Sequence, residues 1–233
     1  MKRNVYLSIL FMCLSFLFSF CTHEKIKNDI VLSNLKGKVK SVVKKEYTVK
    51  DKFGERLKEK LDKTTISKYN EDGNLLENDY YDSKGMLVKK EVNKFDESGK
   101  NVELDSYDST GMLVEKQVKK LDESGKLVGG DIYDSKGMLG VKIVIKYDES
   151  GKFVGVDIYD SKGMLDVKIV RKYDEKGYEV EDTRYLSDGS IDLTTKYKYD
   201  KFDKIGNWIS RIEEYNGKDY TSLTISEREI EYY

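Results

Sequence analysis

Hydrophobic and polar residues alternate one by one along most of the chain. From Lys152 to Tyr159, Val154, Val156 and Ile158 fall on one side and Phe153, Gly155, Asp157 and Tyr159 on the other. In the next segment Leu165, Val167 and Ile169 oppose Asp166, Lys168 and Val170. A period of two is that of a β-strand, whose side chains point to alternate faces. Beyond an apolar leader, no segment carries a helical period. The alternating segments have strand length and are separated by short polar stretches ending in glycine, so the pattern predicts strands joined by tight turns.

The turns repeat. An aromatic residue, Asp, two polar residues and Gly recur as Tyr69-Asn70-Glu71-Asp72-Gly73, Tyr81-Asp82-Ser83-Lys84-Gly85, Phe95-Asp96-Glu97-Ser98-Gly99 and onward to Gly189, in steps that alternate between 12 and 14 residues. The unit is therefore 26 residues with two turns, in copies at 69–94, 95–120, 121–146, 147–172 and 173–198. Copies three and four agree at 21 of 26 positions, which points to recent duplication. A stretched last turn follows from Tyr199-Asp200 to Gly206-Asn207. In each turn the Asp carboxylate can accept backbone N–H bonds, and Gly can take the positive φ that closes a type I turn with a bulge.

Consecutive strands joined by tight turns predict an all-β, extended antiparallel meander of hairpins, single-layered or curled. In the first copy Leu87, Lys89, Glu91 and Asn93 share one face and Met86, Val88, Lys90 and Val92 the other, so neither looks like a core. This favours an elongated single layer, its apolar patches covered by long Lys and Glu side chains. Strands spaced at about 4.8 Å would make such a body roughly 55–65 Å long.

Composition sharpens this picture. The 233 residues contain no proline, so no backbone N–H is lost to a long ladder, and one histidine, His23. A His-ligated metal cluster, a Ser-His-Asp triad or a Cys-His nucleophile needs a histidine in the folded body, and His23 stands near the N-terminus. Lys2 and Arg3 precede an uncharged run from Val5 to Phe20, the layout of a bacterial export signal. In Leu17-Phe18-Ser19-Phe20-Cys21 the sequence resembles a lipobox, which implies lipidation at Cys21. It departs from that pattern at Phe20, where a small residue belongs. The competing reading is an ordinary signal-peptidase site at Ser19 and Cys21 and a released protein. Either way at most one cysteine remains, which excludes disulfides and thiolate metal sites. Without residues 1–20 there are 40 basic and 43 acidic residues of alternating sign, a balance unsuited to nucleic acid.

The recurring Tyr-Asp-x-x-Gly, above all Tyr69 through Gly73-Asn74-Leu75 and Tyr199-Asp200 through Gly206-Asn207-Trp208-Ile209, resembles the YD (Rhs-type) repeats of bacterial surface proteins. It is similar also to short repeat lipoproteins in which a segment such as Leu35-Lys36-Gly37-Lys38-Val39-Lys40-Ser41-Val42 opens a run of such turns. The resemblance covers about residues 35–215 and implies a surface architecture rather than an activity. Most copies lack the arginine and extra glycines of the full YD pattern. The Tyr-Asp-Ser-Lys-Gly-Met-Leu version also resembles the MORN-variant repeats of antitoxin-like proteins, which the export signal disfavours.

Tyr81, Tyr107, Tyr133, Tyr159 and Tyr185 precede the turns at one end of the sheet, and Tyr69, Phe95, Leu121, Tyr147, Tyr173 and Tyr199 those at the other. Strands two apart set such residues roughly 10 Å from one another, so the first row is a candidate surface for a glycan or protein ligand, against plain cross-strand packing. The pairs Asp79/Asp82, Asp105/Asp108, Asp131/Asp134 and Asp157/Asp160 could help to hold calcium, but turn capping alone explains the second member of each. A carboxylate-based glycan hydrolase would need a uniquely placed pair of acids, which repetition does not supply. Trp208 reads as a core plug. The sequence thus predicts a signal peptide at 1–20, a tether at 21–34, N-terminal strands at 35–68, five hairpin repeats at 69–198 and capping strands at 199–233. The expected function is a non-enzymatic binding or structural module without cofactor or metal, possessing an adhesin-like surface. Its expected place is the outer membrane or cell surface through a lipid anchor, with a secreted or periplasmic protein as the alternative.

Overall fold

The computed structural model describes residue 29 and residues 33–52 and 55–233; Cys21 and the leader lie outside the described residues. Fourteen strands follow one another: β1 (Val39–Lys52), β2 (Glu55–Tyr69), β3 (Leu75–Tyr81), β4 (Leu87–Phe95), β5 (Asn101–Asp108), β6 (Leu113–Leu121), β7 (Leu127–Asp134), β8 (Leu139–Tyr147), β9 (Phe153–Asp160), β10 (Leu165–Tyr173), β11 (Glu179–Leu186), β12 (Ile191–Phe202), β13 (Trp208–Gly217) and β14 (Thr221–Tyr232). Each pairs antiparallel with its sequence neighbours, and β1 pairs with β14, so the meander closes into a barrel. The repeat copies supply β3 to β12.

The turns form as their chemistry dictates. At Asp82 the carboxylate accepts the N–H groups of Lys84 and Met86, both at 2.9 Å, while Gly85 N–H donates to the Asp82 carbonyl at 3.0 Å. Gly85 sits at φ 79°, where an L side chain costs about 1–2 kcal/mol. Its missing Cβ would meet nothing within 4 Å, so only the backbone penalty remains. Gly85→Ala is therefore expected to lower the urea midpoint by the equivalent of about 1 kcal/mol. Lys84→Ala in the same turn should leave it in place.

An elongated open layer is not what forms. An open sheet would leave the edges of β1 and β14 with unpaired backbone groups. Here they pair from Val39 opposite Tyr232 to Thr48 opposite Thr224, and Tyr233 N–H adds a bond of 2.9 Å to Lys38 O. Register shifts recur at the hairpins and bend the strands toward closure. The row of strands expected to give the length is the circumference instead, about 67 Å for strands about 4.8 Å apart before tilt is added.

Bulges also correct the assignment of faces. Tyr147 pairs with Phe153 but Lys146 with Gly155, so Val154 is the extra residue. Phe153 thereby joins Val156 and Ile158 on the inside, at 0%, 1% and 2% exposure. Of the mixed face of the first copy, Lys89, Glu91 and Asn93 likewise become interior: Glu91 is 1% exposed and receives Tyr80 OH at 2.6 Å and Asn78 Nδ2 at 3.2 Å. A polar face can line a barrel when its groups find partners there.

Charge ladders dominate the outer wall. Glu77 bridges Lys68 and Lys90 at 2.5 Å each, and Lys94 holds Glu103 at 2.7 Å and Asp105 at 2.5 Å. Lys120–Asp131, Lys146–Asp157 and Lys172–Glu181 continue the pattern at 2.7 to 3.0 Å. Hydrocarbon facing this wall would cost about 2–4 kcal/mol for each lysine near the bilayer midplane. The barrel wall is built for water.

Candidate functional site

The interior has two sectors. Across β7 to β10 it is apolar, with Ile132, Val141, Ile143, Phe153, Val167 and Ile169 among its buried residues. The remaining strands point polar and ionised groups inward. At the junction Arg171 grips Asp182 with both Nε at 2.8 Å and Nη2 at 2.7 Å, and it also touches Glu179. Arg211 Nη1 lies 3.6 Å from Glu179, and Arg211 Nε donates to Glu213 Oε1 at 2.8 Å. Ser226 Oγ at 2.8 Å and Tyr215 OH at 2.5 Å complete the shell around Glu213. Further round, Glu46 takes Lys44 at 3.3 Å and Lys63 at 3.2 Å.

Burial sets the protonation of these acids. It pushes Glu179 up to about 7 even though Arg171 opposes it. Burial acts on Glu213 too, but Arg211 and Lys44, with the Tyr215 and Ser226 hydroxyls, outweigh it and hold the carboxyl down at about 2. Two carboxyls with separated protonation ranges could serve as acid and base. Yet Glu179 and Glu213 are only 6% and 3% exposed, and guanidinium groups occupy the faces a substrate would need. Chemically the arrangement is an internal strut.

One mouth of the barrel, here the near mouth, holds the segment just before β1 and the end of β14. Leu35 packs on Val39, Val42 and Tyr69. Lys36 N–H donates to Asn207 Oδ1 at 2.8 Å, and Asn207 Nδ2 returns a bond to Lys36 O at 2.9 Å. Asp29 accepts Leu75 N–H at 2.9 Å and Asn101 Nδ2 at 3.4 Å. Asp29, Ser33 and Asn34, in the stretch read as a tether, thus line the mouth together with Leu35 and Lys36. Inward rings stand below: Tyr178, Tyr199 and Phe202 lie 5.1 to 5.9 Å apart, with Trp208 6.1 Å from Tyr199. Lysines from the turns cover others, Lys126 at 3.4 Å above Tyr147 and Lys152 at 3.7 Å above Tyr173.

The tyrosine rows therefore differ. Tyr69, Tyr147, Tyr173 and Tyr199 face inward at the near mouth. Tyr81, Tyr107, Tyr133, Tyr159 and Tyr185 face outward at the far mouth, half-buried, each in the outer ladder; Tyr107 OH donates to Asp105 at 3.1 Å. Beside them Met86, Met112, Met138 and Met164 stand 58% to 67% exposed. In the acid pairs the second Asp caps its turn, while the first faces lysine, as Asp131 does Lys120 and Asp157 does Lys146. Among the described residues no three His, Cys, Asp or Glu side chains are gathered to hold a metal ion. Trp208, 4% exposed, is indeed buried, but against two guanidinium groups, Arg211 at 4.4 Å and Arg228 at 3.5 Å from its ring.

The ionic strut was not anticipated, though it left a signal. One repeat length after Phe153, Val156 and Ile158 stand Glu179, Asp182 and Arg184, and Arg171 follows Ile145 at the same step. Substituting charge at inward positions of one copy marks the place where apolar packing gives way to ion pairs.

No protein-family model and no curated protein matches the chain. Among solved structures it is similar to a porin-like protein from Bacteroides uniformis, with 13% identity and a TM-score of 0.47 over 83% of this chain and 96% of that one. It is similar also to a DUF1329 family protein from Desulfovibrio piger, with 10% identity and a TM-score of 0.34 over 83% and 86%. A TcdB2-TccC3-TEV structure aligns over 82% of this chain and 14% of that one, with 11% identity and a TM-score of 0.22. Likenesses of this strength tie the chain to none of these proteins.

Proposed function

We propose that this chain is a non-enzymatic envelope protein, a YD-type repeat barrel held at the membrane by an acyl chain on Cys21 and standing in water as a binding module. The observation that carries the reading is the outer wall. A barrel sheathed in Lys–Glu and Lys–Asp ladders gains nothing from entering lipid, so the export leader and the cysteine that closes it supply the attachment. The outward tyrosine row Tyr81, Tyr107, Tyr133, Tyr159 and Tyr185, with the exposed methionines beside it, is the surface this reading gives to a glycan or protein ligand. The Glu179–Glu213 pair lends a hydrolase no support, because arginines enclose it.

Metabolic labelling with an alkynyl fatty acid tests the anchor. Labelled protein is expected in the membrane fraction, with Cys21→Ser unlabelled and released into the aqueous fraction. Unlabelled protein that resists an alkaline wash would sink the proposal and indicate a barrel that spans the bilayer.

A further inference from the structure

Beside the β1–β14 seam one inward cation of the polar sector is in contact with no acid among the described residues. Lys44, Lys63, Arg171, Arg211 and Arg228 surround Glu46, Glu179, Asp182 and Glu213. Each acid is in contact with one of the first four cations, and Arg228 is left over. Its Nε and Nη1 are buried and make no hydrogen bond among the described residues. Trp208 fixes the plane of the guanidinium by stacking 3.5 Å away, which presents those donors in a set direction. Directly across the β1–β14 seam from Arg228 stands Lys44, also inward. A buried guanidinium without a partner carries its full desolvation cost. Burial and the charge of Arg211 accordingly pull Arg228 down to about 9.

We infer that Arg228, with Lys44 facing it, anchors an oxyanion-binding site inside the barrel near the seam, one that takes the carboxylate or phosphate group of a small anionic ligand. An oxyanion there would accept from one free edge of the guanidinium, at Nε–H or at Nη1–H, and would set a negative charge against Arg228. The neighbouring acids cannot do so, since Glu213 is claimed by Arg211 and Glu46 by Lys44 and Lys63. The site stands apart from the lipid anchor and holds whether or not Cys21 is acylated.

The single tryptophan of the chain reports on it directly. Trp208 fluorescence of the purified processed chain would be followed while sodium phosphate or sodium octanoate replaces sodium chloride at constant ionic strength. At least one oxyanion should give a saturable change with a Kd below about 1 mM, and should raise the melting temperature. Arg228→Gln should weaken that binding at least about tenfold and abolish the thermal shift, while Arg228→Lys retains part of both. Lys44→Gln should weaken it less than Arg228→Gln, which keeps the site testable if the arginine variant folds poorly. A response to octanoate alone assigns a carboxylate, and to phosphate alone a phosphate. No saturable response to either up to about 10 mM, or equal responses in the wild type and Arg228→Gln, would overturn the inference.

Discussion

Arg211→Met should cost the barrel about 3–5 kcal/mol of stability, the largest loss expected from any single substitution here. Arg211 is 1% exposed and is the largest fully buried side chain among the described residues. It reaches Glu213 at 2.8 Å and Glu179 at 3.6 Å, and lies over Trp208 and Tyr197 at 4.4 and 4.5 Å. Methionine fills much of the volume but leaves Glu213 in a dry interior without its main counter-charge. Glu213 now titrates below its unfolded value of 4.5, so its contribution to stability is present above pH 4.5 and is lost as pH falls toward about 2. In Arg211→Met burial dominates, the carboxyl shifts upward, and the same group destabilises the fold as pH rises past 4.5. Urea denaturation at pH 7 and pH 4 measures both effects, and the gap from wild type should be smaller at pH 4. Adding Glu213→Gln to Arg211→Met should recover a substantial part of the loss. The outer-wall control Lys172→Met breaks a 2.7 Å contact to Glu181 whose lysine is 66% exposed, and should shift the midpoint little. A loss below about 1 kcal/mol in Arg211→Met would mean that Arg171 and Lys44 can neutralise both glutamates without it.

What the sequence made legible was local. Turns such as Asp82 to Met86 close through bonds within five residues, and their Asp and Gly announce them. Strands follow from alternation between turns. Closure depends on β1 meeting β14 across nearly the whole chain, where Tyr232 and Val39 pair by position on the ring and no local pattern marks them. The faces were misjudged at bulges: counting by two from Val156 puts Phe153 outside, whereas the extra residue Val154 returns it to the core. The same effect separates the tyrosine rows. Tyr69 and Tyr81 are an even number of residues apart, yet a register shift between Lys68 and Tyr69 turns one inward and leaves the other outward. Of the candidate site, Trp208 was legible as a buried residue because it is unique and adjoins the degenerate turn. Its partner Arg228 was not, because β14 lies outside the repeat and its pairing with Lys44 exists only once the seam is closed.

Glu115→Gln should remove much of the pH dependence of stability between pH 4.5 and 7. Glu115 points inward from β6, where burial raises its carboxyl to about 7 against the attraction of Lys89. Glu91 of β4 adds repulsion, Asp134 lies opposite on β7, and Ser106 lies opposite on β5. Unfolded, the group titrates near 4.5, so between 4.5 and 7 the folded chain keeps a proton that the unfolded chain has released. Stability from this group is thus full below pH 4.5 and lost as pH rises through about 7, a change on the order of 3 kcal/mol. Glutamine stays neutral throughout, so the variant should match wild type at pH 4 and exceed it at pH 8. A residual slope of the same sign should persist, because Glu179 is also raised to about 7. Lys119, on the same strand and lowered to about 8 by burial, acts in a separate window. Its folded form has released a proton that the unfolded form still holds between pH 8 and 10.5, so stability from Lys119 rises with pH there. Urea midpoints from pH 4 to 10 resolve the two windows, and parallel curves for wild type and Glu115→Gln would show that water reaches Glu115 freely. The Glu115 carboxyl and, four residues on, the Lys119 ammonium are both shifted chiefly by burial, in contrast to the ion-paired strut around Arg211.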